Sequence, residues 1–176
     1  MTPPQPQNPN RDLPYAYGGV RTLVLLHERH LRSFLAVWKQ AKAAGVALPA
    51  TDDPSYASLE TLLFHVCACA RGYMAWSCRM LGLPDPEIRR PPEAATIETE
   101  VDVYLEHLIE RWRSPLAGVE EVRLFEPEYE APWESRYCIE AMLEHAVMHP
   151  IRHQFQLENC WWSRDGVERR VLNFKI

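Results

Sequence analysis

Apolar residues return every three or four positions along four stretches of the chain, which is the spacing of one face of an α-helix. The first stretch is the clearest, and its apolar face carries Val20, Val24, His27, Leu31, Phe34, Trp38 and Ala41. Gly45 is predicted to end this helix. The second helix is predicted to start at Asp53 and Pro54, an N-cap acid followed by proline at the first helical position, and to run to about Leu81.

A third helix is predicted to begin at Thr96, a capping residue, and to continue to about Gly118. Its first turns are acidic, which is favourable at the positive end of the helix dipole. The next piece, residues 120–133, contains two prolines and little periodicity. We interpret it as a loop with a short extended run at residues 122–125.

Ser135 can cap a fourth helix that runs to about Trp162. Four long amphipathic helices without a good strand pattern predict an all-α fold, a four-helix bundle. The long connections after the second and third helices allow crossover topologies as well as a simple up-down order. We predict one domain over residues 15–176, preceded by a flexible tail at residues 1–14 that is rich in Pro, Gln and Asn.

Composition narrows the class of protein. The 176 residues carry a net charge of −5 with acidic and basic residues mixed, which argues against nucleic acid or an anionic membrane surface as the main partner. No apolar run approaches membrane-spanning length, and the start lacks the pattern of a signal peptide. Five cysteines without a compact spacing framework favour free thiols, so we expect a soluble cytoplasmic protein.

Histidines are concentrated in the fourth predicted helix, where residues 144–158 read EHAVMHPIRHQFQLE. His145, His149 and His153 are spaced by four, so they lie on one helical face. All three cannot serve one ion, because His145 and His153 are separated by roughly 12 Å of helical rise. The pair is either His145/His149 or His149/His153, and a ligand from another helix would complete the binding of a divalent transition metal. The strongest candidate for a metal site combines His65, from the second helix, with the pair His149 and His153.

The segments LLFHVCACARGYMAWSCRMLG, which contains His65, and HAVMHPIRHQFQ resemble the DinB/YfiT-like family of bacterial proteins. The similarity covers most of the chain, from LVLLHERHLRSFL in the first helix onwards. It implies a four-helix bundle that commonly forms a homodimer and binds Zn²⁺ or Ni²⁺ through His65, His149 and His153. Members of the family are implicated in hydrolysis and in transfer or isomerisation with low-molecular-weight thiols such as bacillithiol or mycothiol. The resemblance therefore implies a small-molecule substrate.

Four other residues are candidates for supporting contacts around the ion. Gln156 falls where the family often has glutamine, in a run similar to H-R-G-Q. Cys69, one turn after His65, either replaces a ligand or only fills space in the helix packing. His27 either donates a hydrogen bond near the site or is a core histidine with an internal partner. His145 is predicted to support the ligands or to lie at the surface.

Pro150 departs from the expected pattern, because it follows His149 directly inside the helix. Proline removes a backbone donor and disfavours helical geometry at the preceding residue. A kink can aim His149 at the metal or can spoil the pair, and we favour the first interpretation.

Two hypotheses of function follow from these residues. The first is a metal-dependent thiol transferase or hydrolase, since three protein ligands with water in the remaining positions are typical of a catalytic site. The second is a non-catalytic, metal-binding dimer that acts as a stress-related or scaffold protein. Pro150 and the lack of an obvious general base beside the ligands favour the second hypothesis, and the open three-histidine arrangement favours the first.

Overall fold

Helices account for most of the computed structural model, which describes residues 14–162 and the side chains of residues 14–160. Four helices are long, namely α1 (Gly18–Ala43), α2 (Leu59–Met80), α3 (Ile97–Trp112) and, after one short helix, α5 (Ile139–Trp162). The shorter elements are a 3-10 helix (Pro54–Tyr56), the single turn α4 (Val122–Phe125) and a hairpin of β1 (Tyr129–Glu130) and β2 (Arg136–Tyr137). The predicted all-α class is confirmed. The predicted tail at residues 1–14, apart from Pro14, and residues 163–176 of the predicted domain lie outside the described residues.

Helix α5 is the element against which most of the others pack. Its most extensive contact is with α1, and it also packs against α2, which in turn contacts α3. Two buried indoles tie neighbouring helices to α2, because the Trp38 Nε1–H of α1 donates to the Leu59 carbonyl at 2.6 Å and the Trp112 Nε1–H of α3 donates to the Ala70 carbonyl at 3.1 Å. No helix in the described part of the chain is long and apolar enough to cross a membrane.

The predicted start of the second helix is wrong by several residues. Asp53 and Pro54 do begin a helical turn, but it is the short 3-10 helix, in which the Asp53 carboxylate accepts a hydrogen bond from the Ser55 N–H at 2.8 Å. Helix α2 begins later with a capping box. The Ser58 hydroxyl accepts from the Thr61 N–H at 3.2 Å, and the Thr61 hydroxyl accepts from the Ser58 N–H at 2.9 Å.

The third helix also ends earlier than predicted, at Trp112 rather than near Gly118. Pro115 accounts for this end, because proline disfavours helical geometry at the residue before it. At the other end of the helix, Thr96 makes no side-chain capping bond to the backbone. The extended run predicted at residues 122–125 is wrong as well, since these residues form the helical turn α4.

The fourth long helix starts at Ile139, not at Ser135. The residues before it form β2, which pairs in antiparallel register with β1, Tyr129 opposite Tyr137. The turn between the strands is closed by a hydrogen bond from the Ala131 N–H to the Ser135 carbonyl at 2.8 Å. Ser135 therefore closes a hairpin in place of capping a helix.

Candidate metal centre

Three histidine side chains from two helices meet at one point between α2 and α5. The Nε2 atom of His149 lies 3.1 Å from that of His65 and 3.2 Å from that of His153. One ring nitrogen from each of the three histidines lies within 4.8 Å of the other two, so the group could hold a metal ion. Of the two histidine pairs left open by the spacing, the structure brings together His149 and His153.

Local structure explains why these rings converge. His149 and His153 are one turn apart on α5, and both are buried where α5 packs against its neighbours. His65 lies in the first half of α2, beside the buried residues Leu62 and Val66, and is only half-buried. The group therefore has a buried side on α5 and a more accessible side at His65.

Pro150 does not interrupt the pair. Helix α5 is continuous from Ile139 to Trp162 and includes this proline, whose ring is buried. The arrangement of His149 and His153 is not spoiled, because the Nε2 atoms of the two rings lie 3.2 Å apart.

The electrostatic environment keeps the three rings neutral. Burial lowers the pKa of His149 to about 2, and repulsion from His153 and His65 contributes. Burial also lowers the pKa of His153 to about 4 and lowers that of His65. Neutral imidazoles carry the free lone pairs that a transition metal requires, so no proton has to be displaced at neutral pH.

The spacing of the nitrogens fits a divalent transition metal. For an ion about 2.1 Å from each imidazole nitrogen, neighbouring nitrogens are about 3.0 Å apart at right angles and about 3.4 Å apart at tetrahedral angles. The separations of 3.1 and 3.2 Å around His149 fall inside that range. Three neutral ring nitrogens are also a ligand set suited to Zn²⁺, Ni²⁺ or Cu²⁺ rather than to Mg²⁺ or Ca²⁺.

Gln156 makes the contact expected of a supporting residue. Its Oε1 lies 2.8 Å from the Nδ1 of His153, and an amide oxygen can only accept, so Nδ1 carries the proton. The lone pair of His153 is thereby fixed on Nε2, the atom that faces the other two histidines. A hydrogen bond on the far nitrogen is the usual way in which metal-ligating histidines are oriented.

Cys69 lies beside the group but is not part of it. Its Sγ is 3.8 Å from both ring nitrogens of His65, which is a long contact. Burial raises the pKa of this thiol, and a hydrogen bond from Tyr73 lowers it in part. In this structure Cys69 therefore packs against one ligand and does not replace it.

His27 and His145 lie elsewhere. His27 is buried against Trp112, with ring centroids 3.8 Å apart, and among the described residues its Nε2 has no hydrogen-bond partner. It is a core histidine, but among the described residues its Nε2 lacks the internal partner expected of one. His145 stacks on Trp133, with ring centroids 5.6 Å apart, and packs edge-on to Tyr73, so it borders the metal group without joining it.

Two tyrosines beside the group were not predicted as functional residues. The Tyr56 ring lies 5.8 Å from that of His65 and 5.6 Å from that of His153, between centroids, and the Tyr73 ring lies 5.7 Å from that of His149. The spacing of His65 and Tyr73, eight residues on one helix, is a signal that could have identified the second tyrosine. Tyr56 belongs to the 3-10 helix, whose position no periodicity in the sequence reveals.

Comparison with known proteins adds no relative. No family model, no curated protein and no solved structure is significantly similar to this chain. The resemblance to the DinB/YfiT-like family therefore stays a prediction that depends on the residues quoted for it. Any assignment of function depends on the chemistry of the three-histidine group itself.

Proposed function

We propose that the protein is a metal-dependent enzyme of the DinB/YfiT type, a four-helix bundle in which His65, His149 and His153 hold Zn²⁺ or Ni²⁺. We further propose that it acts on a small molecule, by hydrolysis or by transfer with a low-molecular-weight thiol. The observation that carries the proposal is the convergence of three Nε2 atoms whose rings stay neutral. All five cysteines have free thiols, which supports a cytoplasmic location.

The ligand set supports catalysis rather than a closed structural site. Structural zinc sites use four protein ligands, whereas this group offers three and so leaves room for water or substrate. A bound ion would make a coordinated water or thiol more acidic and thus a better nucleophile at neutral pH. Burial raises the pKa of the Tyr56 hydroxyl, so it stays protonated and can donate a hydrogen bond to a substrate held beside the group.

Metal content is the first test of this proposal. Protein purified without a histidine tag and supplied with Zn²⁺ or Ni²⁺ should hold about one ion per chain by elemental analysis. His65→Ala and His153→Ala should lose that ion, while His30→Ala should keep it, because His30 lies on α1 outside the group. Failure of the parent protein to take up either metal would refute the proposal.

Turnover is the second test. Metal-loaded protein should transfer a low-molecular-weight thiol to an electrophile or hydrolyse an ester, and metal-stripped protein should not. A protein that holds one ion per chain but turns over no substrate of either class would instead favour the second candidate function.

That second candidate is a non-catalytic, metal-binding dimer with a stress-related or scaffold role. Two observations favour it. Among the described residues, no carboxylate joins the three histidines as a general base. Met148 and Phe155 are also 52% and 54% exposed, two turns apart on one face of α5, where they could contact a second copy. A dimer in sedimentation analysis that Phe155→Glu converts to a monomer would support this interface.

A further inference from the structure

The crossover segment, residues 84–92, lies in the connection between α2 and α3 and is held in place by side chains. Among the described residues, none of its backbone groups is hydrogen-bonded to another backbone group. The chain just before it differs, since the Leu83 N–H donates to the Cys78 carbonyl at 2.8 Å. Most of the segment is exposed, and only Pro86 and Ile88 are buried. Its position therefore depends on the contacts that side chains make with its backbone.

Side chains of both helices bind two neighbouring residues of this segment. From α2, the Nε–H of Arg71 donates to the Ile88 carbonyl at 2.8 Å. From α3, the Nε2 of His107 accepts the Arg89 N–H at 3.1 Å, and the Tyr104 hydroxyl donates to the Arg89 carbonyl at 3.2 Å. The backbone of the crossover segment is therefore bound to α3 at Arg89 and to α2 at Ile88.

His107 is the one of these three partners that changes its charge near neutral pH. Its Nε2 accepts the Arg89 N–H only while the ring is neutral, because a protonated imidazole carries a hydrogen on both nitrogens. The guanidinium of Arg71 keeps its charge. Burial raises the pKa of the Tyr104 hydroxyl, which stays a donor. Mild acid therefore breaks one of the three hydrogen bonds and leaves the other two.

The charges around His107 favour its neutral form. Burial lowers the pKa of its ring, and the positive charges of Arg89 on the crossover segment and Arg111 on α3 lower it further. The neighbouring carboxylates of α3 and of the segment are in ion pairs with arginines, namely Glu106 with Arg32, Glu110 with Arg113 and Glu87 with Arg111. The bond to Arg89 is therefore complete above the ordinary histidine pKa of about 6.5 and is lost as the pH falls through the lowered pKa.

We propose that His107 is a pH-sensitive latch, which holds the crossover segment on α3 while its ring is neutral and releases it when the ring is protonated. Protonation turns an attraction into a repulsion, because an N–H then faces the Arg89 N–H and a positive ring lies near two guanidinium groups. The Ile88 carbonyl keeps its bond to Arg71, so we expect the release to be local. This inference does not depend on the metal, because His107 is not one of the three grouped histidines.

The Arg89 amide reports directly on the latch in ¹H–¹⁵N NMR spectra recorded between about pH 7.5 and 5. Its resonance should shift with the same midpoint as the ring of His107. Across that midpoint its protection against hydrogen exchange, corrected for the effect of pH on free amides, should fall about fivefold, as expected for the loss of one hydrogen bond. The amide of Leu108, which is fully buried on α3, reports on global unfolding and should keep its protection. An equal loss at Leu108 would refute a local release.

Substitutions of His107 separate the hydrogen bond from other effects of acid. In His107→Gln the amide oxygen can accept the Arg89 N–H at every pH, so the Arg89 amide should stay protected and no longer respond to pH. His107→Leu has no acceptor and should show the low protection throughout. The matched control is His30→Gln, a change at a half-buried histidine of α1, which should behave as the parent. An Arg89 amide that titrates unchanged in His107→Gln, or that does not titrate in the parent, would overturn the inference.

Discussion

Removal of the Gln156 amide should weaken metal binding although the residue does not contact the ion. Gln156 accepts the Nδ1 proton of His153 at 2.8 Å, and this bond keeps the lone pair on Nε2. Without it, the His153 ring can take the other tautomer or turn away. Loss of a partner of this kind typically costs between tenfold and a hundredfold in metal affinity. Because Gln156 is itself exposed, so that water can replace part of the bond, we expect Gln156→Ala to lose about tenfold.

The affinity is measured by competition for Zn²⁺ with a chromophoric chelator at pH 7. Gln154→Ala is the matched control, because Gln154 is also on α5 but donates to Glu158 at 2.8 Å, away from the histidines. Gln156→Glu should bind as well as the parent or better, since a carboxylate accepts the same proton and adds a negative charge. Equal affinities of Gln156→Ala and the parent would show that the hydrogen bond does not orient His153.

Three further predictions concern stability, each measured by urea denaturation. The pKa of His27 is lowered to about 3, so the neutral form stabilises the fold above about pH 6.5 and this contribution is lost as the pH falls towards 3. The free energy of unfolding should therefore rise with pH between pH 4 and 6, partly because of His27. His27→Leu should make this rise less steep by about 1.4 kcal/mol per pH unit. Glu28→Gln should cost about 2 kcal/mol, because buried Arg113 loses its charged bidentate partner and keeps only the partly exposed Glu110, whereas Asp102→Asn in an exposed pair should cost less than about 1 kcal/mol. Ser58→Ala, which removes the capping box of α2, should cost about 1 kcal/mol, and a cost near zero would show that the cap is dispensable.

The long helices were predictable because burial on one face imposes a period on the sequence. The apolar stripe read from Val20 to Ala41 is the buried face of α1, and His27 is buried within it as expected. The ends of helices were less predictable, since they depend on short polar signals that several structures share. Asp53 followed by Pro54 starts a 3-10 turn and an α-helix equally well, and only the competing capping box at Ser58 decides between them.

The candidate site was predictable to the extent that it is local. His149 and His153 share a turn, and the spacing alone places them together. That His65 meets this pair, and that His145 does not, depends on how α2 is packed against α5, which no local pattern records. His65 was nevertheless predicted as the third ligand, because a histidine on another helix can complete such a pair, and the resemblance to the DinB/YfiT-like family implies the same residue.

Helical hydrogen bonding explains why the pair survives a proline in its middle. In an α-helix, the N–H of each residue donates to the carbonyl four residues earlier. Pro150 removes the bond to residue 146, but the bond that joins the two ligand residues runs from the N–H of His153 to the carbonyl of His149, and Pro150 takes no part in it. A proline inside a helix costs about 3 kcal/mol. Since α5 is buried against α1 and α2, the packing of this helix can offset that cost. Pro150 therefore does remove one hydrogen bond from this helix, as expected of a proline. That bond is not the one that holds His149 and His153 together.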